Sequence, residues 1–335
     1  MFGLVETPVF SLDAEECRLL NPPFLRSIIY KLDDIERLLQ RGRPLLVTIN
    51  NECREVGGDW SGWSQTMLEI SQRYTPDQLV GVCVANELDL FWSRDPNDVP
   101  PEFAAELCRQ ASEHLRPRNI RVVAPSVASS RWVEYLTELS RLCSSYVDWF
   151  DFHGYGQRPD GWVPTTWGFG NLSTSLKLAQ DVCGKPVIMS EYGVKIVDAG
   201  SEALVPIFMD LAYETIERVG CPLVAWFAWR DQIGAPSEQG LHAFGLRADD
   251  GRKRPAWDAF ARINRRDDTL REWRGIIGDG LLQMMSYDKT RPAQRSSTWL
   301  PLGVTPSDVE ECYGENGTRY TWLLGSNRGF RFRPS

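Results

Sequence analysis

The chain has 335 residues, 42% of them hydrophobic and 24% charged, ordinary globular usage with material for one large α/β domain and a small appendage. A net charge of -8, with no basic stripe and no arginine-rich arm, argues against a nucleic-acid partner. No run approaches the ~18 uninterrupted apolar residues of a membrane span.

The sequence opens Met1-Phe2-Gly3-Leu4, without a charged leader or a secretory apolar segment. This predicts a cytoplasmic protein, or one released as a phage protein or trimmed of its signal. Short β-type runs follow at 2–5, 25–30, 44–50, 79–85, 121–124, 147–152, 186–189 and 222–227. Helical patterns lie between them. A short one covers 12–20, and Leu32, Ile35, Leu38 and Leu39 share one apolar face. Phe103, Leu107, Ala111 and Leu115 make another, and Trp132, Leu136, Leu139 and Leu142 a third. A further face runs from Val205 through Phe208, Leu211, Ala212 and Ile216 to Val219. Spacings of three and four suit helices that cover a sheet. Strands that alternate with helices pair in parallel, because parallel neighbours need a crossover. Eight repeats within residues 1–264 match the size of a (β/α)8 TIM barrel. The rival, a doubly wound open sheet, would carry a Gly-rich phosphate loop after an early strand, and none is present. From 265 to 335 the alternation stops, and "GLLQMMSYD", "STWLPLG", "TRYTWLLGS" and "GFRFRPS" predict a small β-rich C-terminal extension.

Eight cysteines occur without a C-x-x-C pair, and several sit inside apolar runs; they are expected to be reduced core residues. The three histidines, His114, His153 and His242, do not cluster with them. No metal site and no cofactor are therefore expected.

"VGVCVANELDLFW" (80–92) is an apolar run that stops at Asn86-Glu87, and "KPVIMSEYGV" stops in the same way at Glu191. In a barrel, strand C-termini face the mouth, where active sites form. The fourth and seventh strands lie on opposite sides of the ring, so the two side chains are expected to converge across it. Facing carboxyls suit glycoside hydrolysis, one protonating the departing oxygen and the other attacking the anomeric carbon or activating water. The structural alternative makes Glu87 the cap of the next helix, where a carboxylate is favourable. Glu52 follows strand three, but no comparable glutamate faces it.

"VCVANE" and "VIMSEYG" resemble the strand-four and strand-seven motifs of clan A of the glycoside hydrolases, the superfamily that includes families 5 and 39. "DFHGYG", "AWFAWRD" and "GLRADDGRKRPAWDAF" resemble its strand-six, strand-eight and closing stretches, in the right order over 80–260. The resemblance implies a retaining mechanism with Glu87 as acid and then base, and Glu191 as nucleophile. It further implies that Asn86 holds the sugar 2-hydroxyl, that Tyr155 donates to Glu191, and that His153 contacts sugar hydroxyls or the carboxylates. Trp229 would stack beneath the sugar, with Trp226 as the alternative. Arg26 resembles the clan's strand-two arginine, although it stands early in its run, and Asn50 and Asn51 compete for the end of strand three.

Thirteen tryptophans is a high count, and sugars stack their apolar faces on such rings. Trp60, Trp63, Trp92, Trp162 and Trp167 fall in expected mouth loops, whereas Trp132, Trp149 and Trp257 are expected in packing. Of these, Trp92 and Trp167 are taken as substrate-binding. A β-linked oligo- or polysaccharide substrate and endo-type cleavage are expected. The alternatives are an exo-acting β-glycosidase, a phage-type cell-wall lysin, or a non-catalytic carbohydrate-binding barrel.

Overall fold

A strand buried on both faces needs apolar side chains at nearly every position, and each of the eight apolar runs forms such a strand. The computed structural model describes residues 1–6, 12–49, 62–95, 99–155, 172–199, 202–231 and 243–265, and six strands between 272 and 334. The strands are β1 (Phe2–Val5), β2 (Leu25–Ile29), β3 (Leu45–Ile49), β4 (Leu79–Cys83), β5 (Val122–Val127), β6 (Trp149–Phe152), β7 (Val187–Tyr192) and β8 (Val224–Trp226). They pair in parallel and in sequence order into a closed barrel. Closure comes through β1 and β8, with Phe2 opposite Val224 and Leu4 opposite Trp226.

Among the described residues, the helices are α1 (Ala14–Leu20), α2 (Leu32–Leu39), α3 (Trp63–Arg73), α4 (Asp89–Trp92), α5 (Pro101–Leu115), α6 (Trp132–Cys143), α7 (Leu172–Cys183), α8 (Ile196–Ala199), α9 (Val205–Val219) and α10 (Pro255–Arg265). None of the described helices is long and apolar enough to cross a membrane. The shortest repeat holds because Asp13 caps α1, its carboxylate accepting the Glu16 N–H at 2.7 Å.

Strand alternation separates two apolar layers. Leu45 and Val47 pack outward under the helices, and Leu46 packs inward with Val5, Phe24, Val80, Cys83, Val123, Ile188, Leu223 and Ala225. Gly3 lets Phe24 fill this interior, since a Cβ there would stand 2.4 Å from the Phe24 ring. The six described cysteines, Cys17, Cys83, Cys108, Cys143, Cys183 and Cys221, are buried free thiols.

Two register shifts re-aim side chains at the mouth. In β5 the shift falls between Val123 and Ser126, a stretch containing Pro125, which cannot donate to the ladder. In β7 it falls between Met189 and Tyr192. Strict alternation from the inward Ile188 would turn Glu191 outward. With the shift, Ser190 and Glu191 both face the barrel axis, and Tyr192 packs outward on Trp226 with ring centroids 5.9 Å apart. Glu191 thus lies inside β7, which runs three residues beyond the expected 186–189.

Beyond α10, strands β9 (Glu272–Gly278), β10 (Leu281–Tyr287), β11 (Ser297–Pro301), β12 (Glu311–Tyr313), β13 (Arg319–Leu323) and β14 (Gly329–Pro334) form an antiparallel sheet in the order β11-β10-β9-β14-β13-β12.

Candidate active site

Glu87 follows the end of β4 in the left-handed backbone region, with φ of 48°. For a residue other than glycine this costs on the order of 1 kcal/mol, so its surroundings must hold it there. Its N–H donates to Ser126 Oγ at 3.0 Å, a hydroxyl that the β5 register shift turns to the axis. Its side chain pairs with His153, Nδ1 to Oε1 at 2.7 Å. Leu88 is the N-terminal flank of α4, without a side-chain cap, so this glutamate does not cap the next helix. The acid that ties the following turn is Asp89, whose fully buried carboxylate accepts the N–H groups of Ala128 and Ser129.

Glu191 is 6% exposed. Arg26 on β2 forms an ion pair with its Oε1, and the Tyr155 hydroxyl donates to its Oε2. Burial pushes this carboxyl up. Arg26, His153 and the Tyr155 hydrogen bond oppose burial and together prevail, so its pKa lies below the ordinary carboxylate value. The same arginine donates to Asn86 Oδ1 at 2.9 Å, tying β2 to the end of β4. Arg26 is the second residue of its strand, yet its long side chain, 1% exposed, reaches the mouth from there.

One donor atom each from Glu87, His153 and Glu191 lies within 4.8 Å of the others. Among the described residues this is the set that could surround a cation. The Arg26 guanidinium on Glu191 and the raised imidazole pKa of His153 both oppose one. The set places the Glu87 and Glu191 carboxyls close together, with the His153 ring against Glu87.

Six of the expected site residues, Glu87, Glu191, Asn86, His153, Tyr155 and Arg26, are gathered at this one place. Trp229 is not open to it: the ring is 4% exposed and faces the Arg247 guanidinium, 5.5 Å from its centroid. Trp226 is fully buried between β8 and the helices. The half-buried aromatic at the mouth end of β8 is Phe227. It meets Tyr155 and Phe244 edge-on, with centroids 5.6 and 5.4 Å away. Alternation admits it, since Leu223 and Ala225 face inward and 227 continues their phase, but it admits Trp229 equally. Trp92 lies on α4 against the Tyr135 ring, with the Arg131 guanidinium 4.2 Å over its own ring. Trp63 is buried and donates to Val84 O at 3.1 Å. Asn50, Asn51, Trp60, Trp162 and Trp167 lie outside the described residues. Sequence reasoning missed Asp151, Ser126 and Ser190. A charged residue in the middle of the apolar β6 was the signal for Asp151.

Paired carboxyls at the C-terminal mouth of a (β/α)8 barrel define the chemistry of a glycoside hydrolase. Residues 59–242, more than half of the chain, match the family model of the glycosyl hydrolase catalytic core. The chain belongs to that family. No curated protein sequence matches it. Among solved structures it is similar to a family 39 glycoside hydrolase from the gut symbiont Bacteroides cellulosilyticus WH2, with 11% identity, TM-score 0.62, and 100% of this chain and 80% of that one covered. It is also similar to the exo-β-1,4-mannosidase Op5Man5 from Opitutaceae bacterium strain TAV5, with 15% identity, TM-score 0.56, and 79% and 59% covered. A third is the β-glucuronidase of an uncultured Clostridium sp., with 14% identity, TM-score 0.54, and 79% and 50% covered. The chain thus spans about half the length of that β-glucuronidase, and at these identities the likeness is one of fold.

Proposed function

We propose that this protein is a retaining β-glycosidase that cleaves a β-linked oligo- or polysaccharide by double displacement. The observation that carries the reading is that one carboxyl oxygen of Glu87 and one of Glu191 lie within 4.8 Å of each other across the barrel mouth, a facing pair of the kind retaining enzymes hold with their carboxyl groups ~5–5.5 Å apart. Glu191 is the nucleophile. Arg26 and Tyr155 keep it ionised, and both bonds weaken as its negative charge passes into the glycosyl ester. Glu87 protonates the leaving oxygen, then takes a proton from the water that hydrolyses the ester. Asn86, its amide oxygen fixed by Arg26, presents its other end to the sugar 2-hydroxyl. A binding-only barrel would need stacking surfaces but not an ion-paired nucleophile opposite an acid, and this favours catalysis over that alternative.

The endo reading rests on the sequence, in which Trp60, Trp162 and Trp167 follow the third and sixth strands. The likeness to an exo-β-1,4-mannosidase favours the exo reading, and product sizes from a reduced oligosaccharide separate the two. Aryl β-glycosides of glucose, mannose, xylose and glucuronic acid identify the sugar. With the one that turns over, proton spectra are expected to show the β-anomer forming first, and first appearance of the α-anomer contradicts retention. Glu191→Ala should lower kcat by roughly 10⁴-fold or more. Glu87→Ala should cost roughly 10²–10⁴-fold on a phenyl leaving group and far less on 2,4-dinitrophenyl, with azide restoring turnover.

A further inference from the structure

His153 stands at the end of β6, its backbone N–H held by Val127 O at 2.9 Å. Its ring is fully enclosed, and both nitrogens face oxygen. Nδ1 is 2.7 Å from Glu87 Oε1, and Nε2 is 2.9 Å from Ser190 Oγ. A neutral imidazole has one donor and one acceptor; a carboxylate only accepts. When Glu87 is ionised, Nδ1 must therefore carry a hydrogen, and the Ser190 hydroxyl, which rotates freely, can accept from Nε2.

The charges around the ring favour that doubly protonated form. Glu87 comes from the end of β4. Glu191 Oε2 on β7 is 3.8 Å from Nδ1, and Asp151 Oδ2 on β6 is 3.8 Å from Nε2. Asp151 is fixed in turn by the Ser190 N–H at 2.8 Å and lies 3.7 Å from the Cys83 thiol of β4. Against three carboxyls stand the Arg26 guanidinium, already paired with Glu191, and the neutral Tyr155 hydroxyl. Burial pushes the imidazole pKa down, but Glu191, the Glu87 hydrogen bond and Asp151 push it up further, to about 9.

A general acid bonded to an imidazolium would rest ionised, without the proton its first step requires. We propose that Glu87 and His153 hold the leaving-group proton jointly, the imidazole as its resting place and the carboxyl as the group that delivers it. This rests on the reading of Glu87 as the acid. The Nδ1–H bond breaks and the proton joins the Glu87 carboxylate, leaving a neutral imidazole. The carboxyl turns about Cγ–Cδ toward the gap and gives its O–H to the glycosidic oxygen. The C–O bonding pair departs with the aglycone, and Glu191 closes its ester on the anomeric carbon. In the second half, water attacks that carbon and loses a proton to the Glu87 carboxylate, the ester's C–O bonding pair returns to Glu191, and the Glu87–His153 pair again holds one proton. Asp151 and Ser190 are positioning residues that keep the ring turned to Glu87.

Only three histidines occur in the chain, so spectra of nitrogen-15-histidine protein can follow each ring. His114→Gln and His242→Gln, each compared with the wild-type spectrum, assign His153 by elimination. Both ring nitrogens of His153 are expected to be protonated at pH 7 and to titrate near about 9, with the midpoint more than ~1 pH unit lower in Glu87→Gln. A neutral ring at pH 7, with one protonated nitrogen, overturns the proposal whatever happens to activity. In kinetics, His153→Gln should lower kcat/KM on a phenyl β-glycoside by ~10–100-fold and bring its basic limb down by ~1 pH unit or more. The 2,4-dinitrophenyl glycoside, which leaves without a proton, should change by less than ~3-fold. Equal losses on both leaving groups would make His153 a structural support of Glu191 and overturn the proposal. The reading of Glu87 fails separately, if Glu87→Ala loses equally on both.

Discussion

Two buried carboxyls, Glu6 and Glu191, end up on opposite sides of the ordinary carboxylate pKa because of what stands beside them. Glu6 follows β1 and points outward, and its Oε1 accepts the Leu12 N–H at 3.2 Å. Burial pushes it up to about 7, and Arg41, Arg37 and the Leu12 N–H recover only part of the shift. Glu191 is as enclosed, but the Arg26 ion pair and the Tyr155 hydroxyl pull it below the ordinary value. For Glu6 the folded pKa lies above the unfolded one. Its contribution to stability is complete below about pH 4.5 and is lost as pH rises through about 7. Glu6→Gln keeps an oxygen for Leu12 and removes that loss. Urea unfolding at pH 8 should find the variant more stable by up to about 3 kcal/mol, and at pH 4 the two should coincide. A variant less stable at pH 8 would mean that the folded protein keeps Glu6 ionised.

The strands show how far a sequence can be read at the level of elements. The eight apolar runs were legible because a parallel sheet covered on both sides needs them. Glu87 and Glu191 followed from where two of those runs stop, whereas Asn86, His153, Tyr155 and Arg26 were reached through the resemblance of their stretches to known motifs. The two register shifts were not legible. Alternation alone turns Glu191 out of the barrel, and only the strand pairing of β7 with β8 turns it in. Alternation does not separate Trp229 from Phe227 either, because both continue the parity of Leu223 and Ala225; β8 ends at Trp226, and beyond it Trp229 is buried against Arg247 while Phe227 meets Tyr155. The junction of β7 and β8 is tight. A Cβ at Gly193 would lie 2.4 Å from Phe227 O and 2.8 Å from the Phe244 ring. Gly193→Ala should therefore cost about 1–3 kcal/mol and reduce turnover, because the strain falls beside Glu191 and the Tyr155–Phe227–Phe244 contacts. Gly62→Ala, where nothing among the described residues lies within 4 Å, is the control and should unfold like the wild type in the same urea titration.

At the scale of the whole molecule, the barrel is sealed by its last helix and first helix together. Asn21 Nδ2 donates to Asn264 O at 3.3 Å, and the Arg265 guanidinium donates to Leu19 O at 2.8 Å. We propose a division in which residues 1–264 are the catalytic barrel and 265–335 a separate extension. A chain ended after Arg265 is expected to unfold cooperatively and to keep turnover on small aryl glycosides, while loss of both would contradict the division. The central claim, that Glu87 and Glu191 act as acid and nucleophile across one gap, is tested most directly by trapping the covalent intermediate. A 2,4-dinitrophenyl 2-deoxy-2-fluoro-β-glycoside of the accepted sugar, followed by peptide mass spectrometry, is expected to place one sugar ester on Glu191 in wild type and none in Glu191→Ala. An ester on another residue, or turnover of that glycoside with no ester formed, would contradict it.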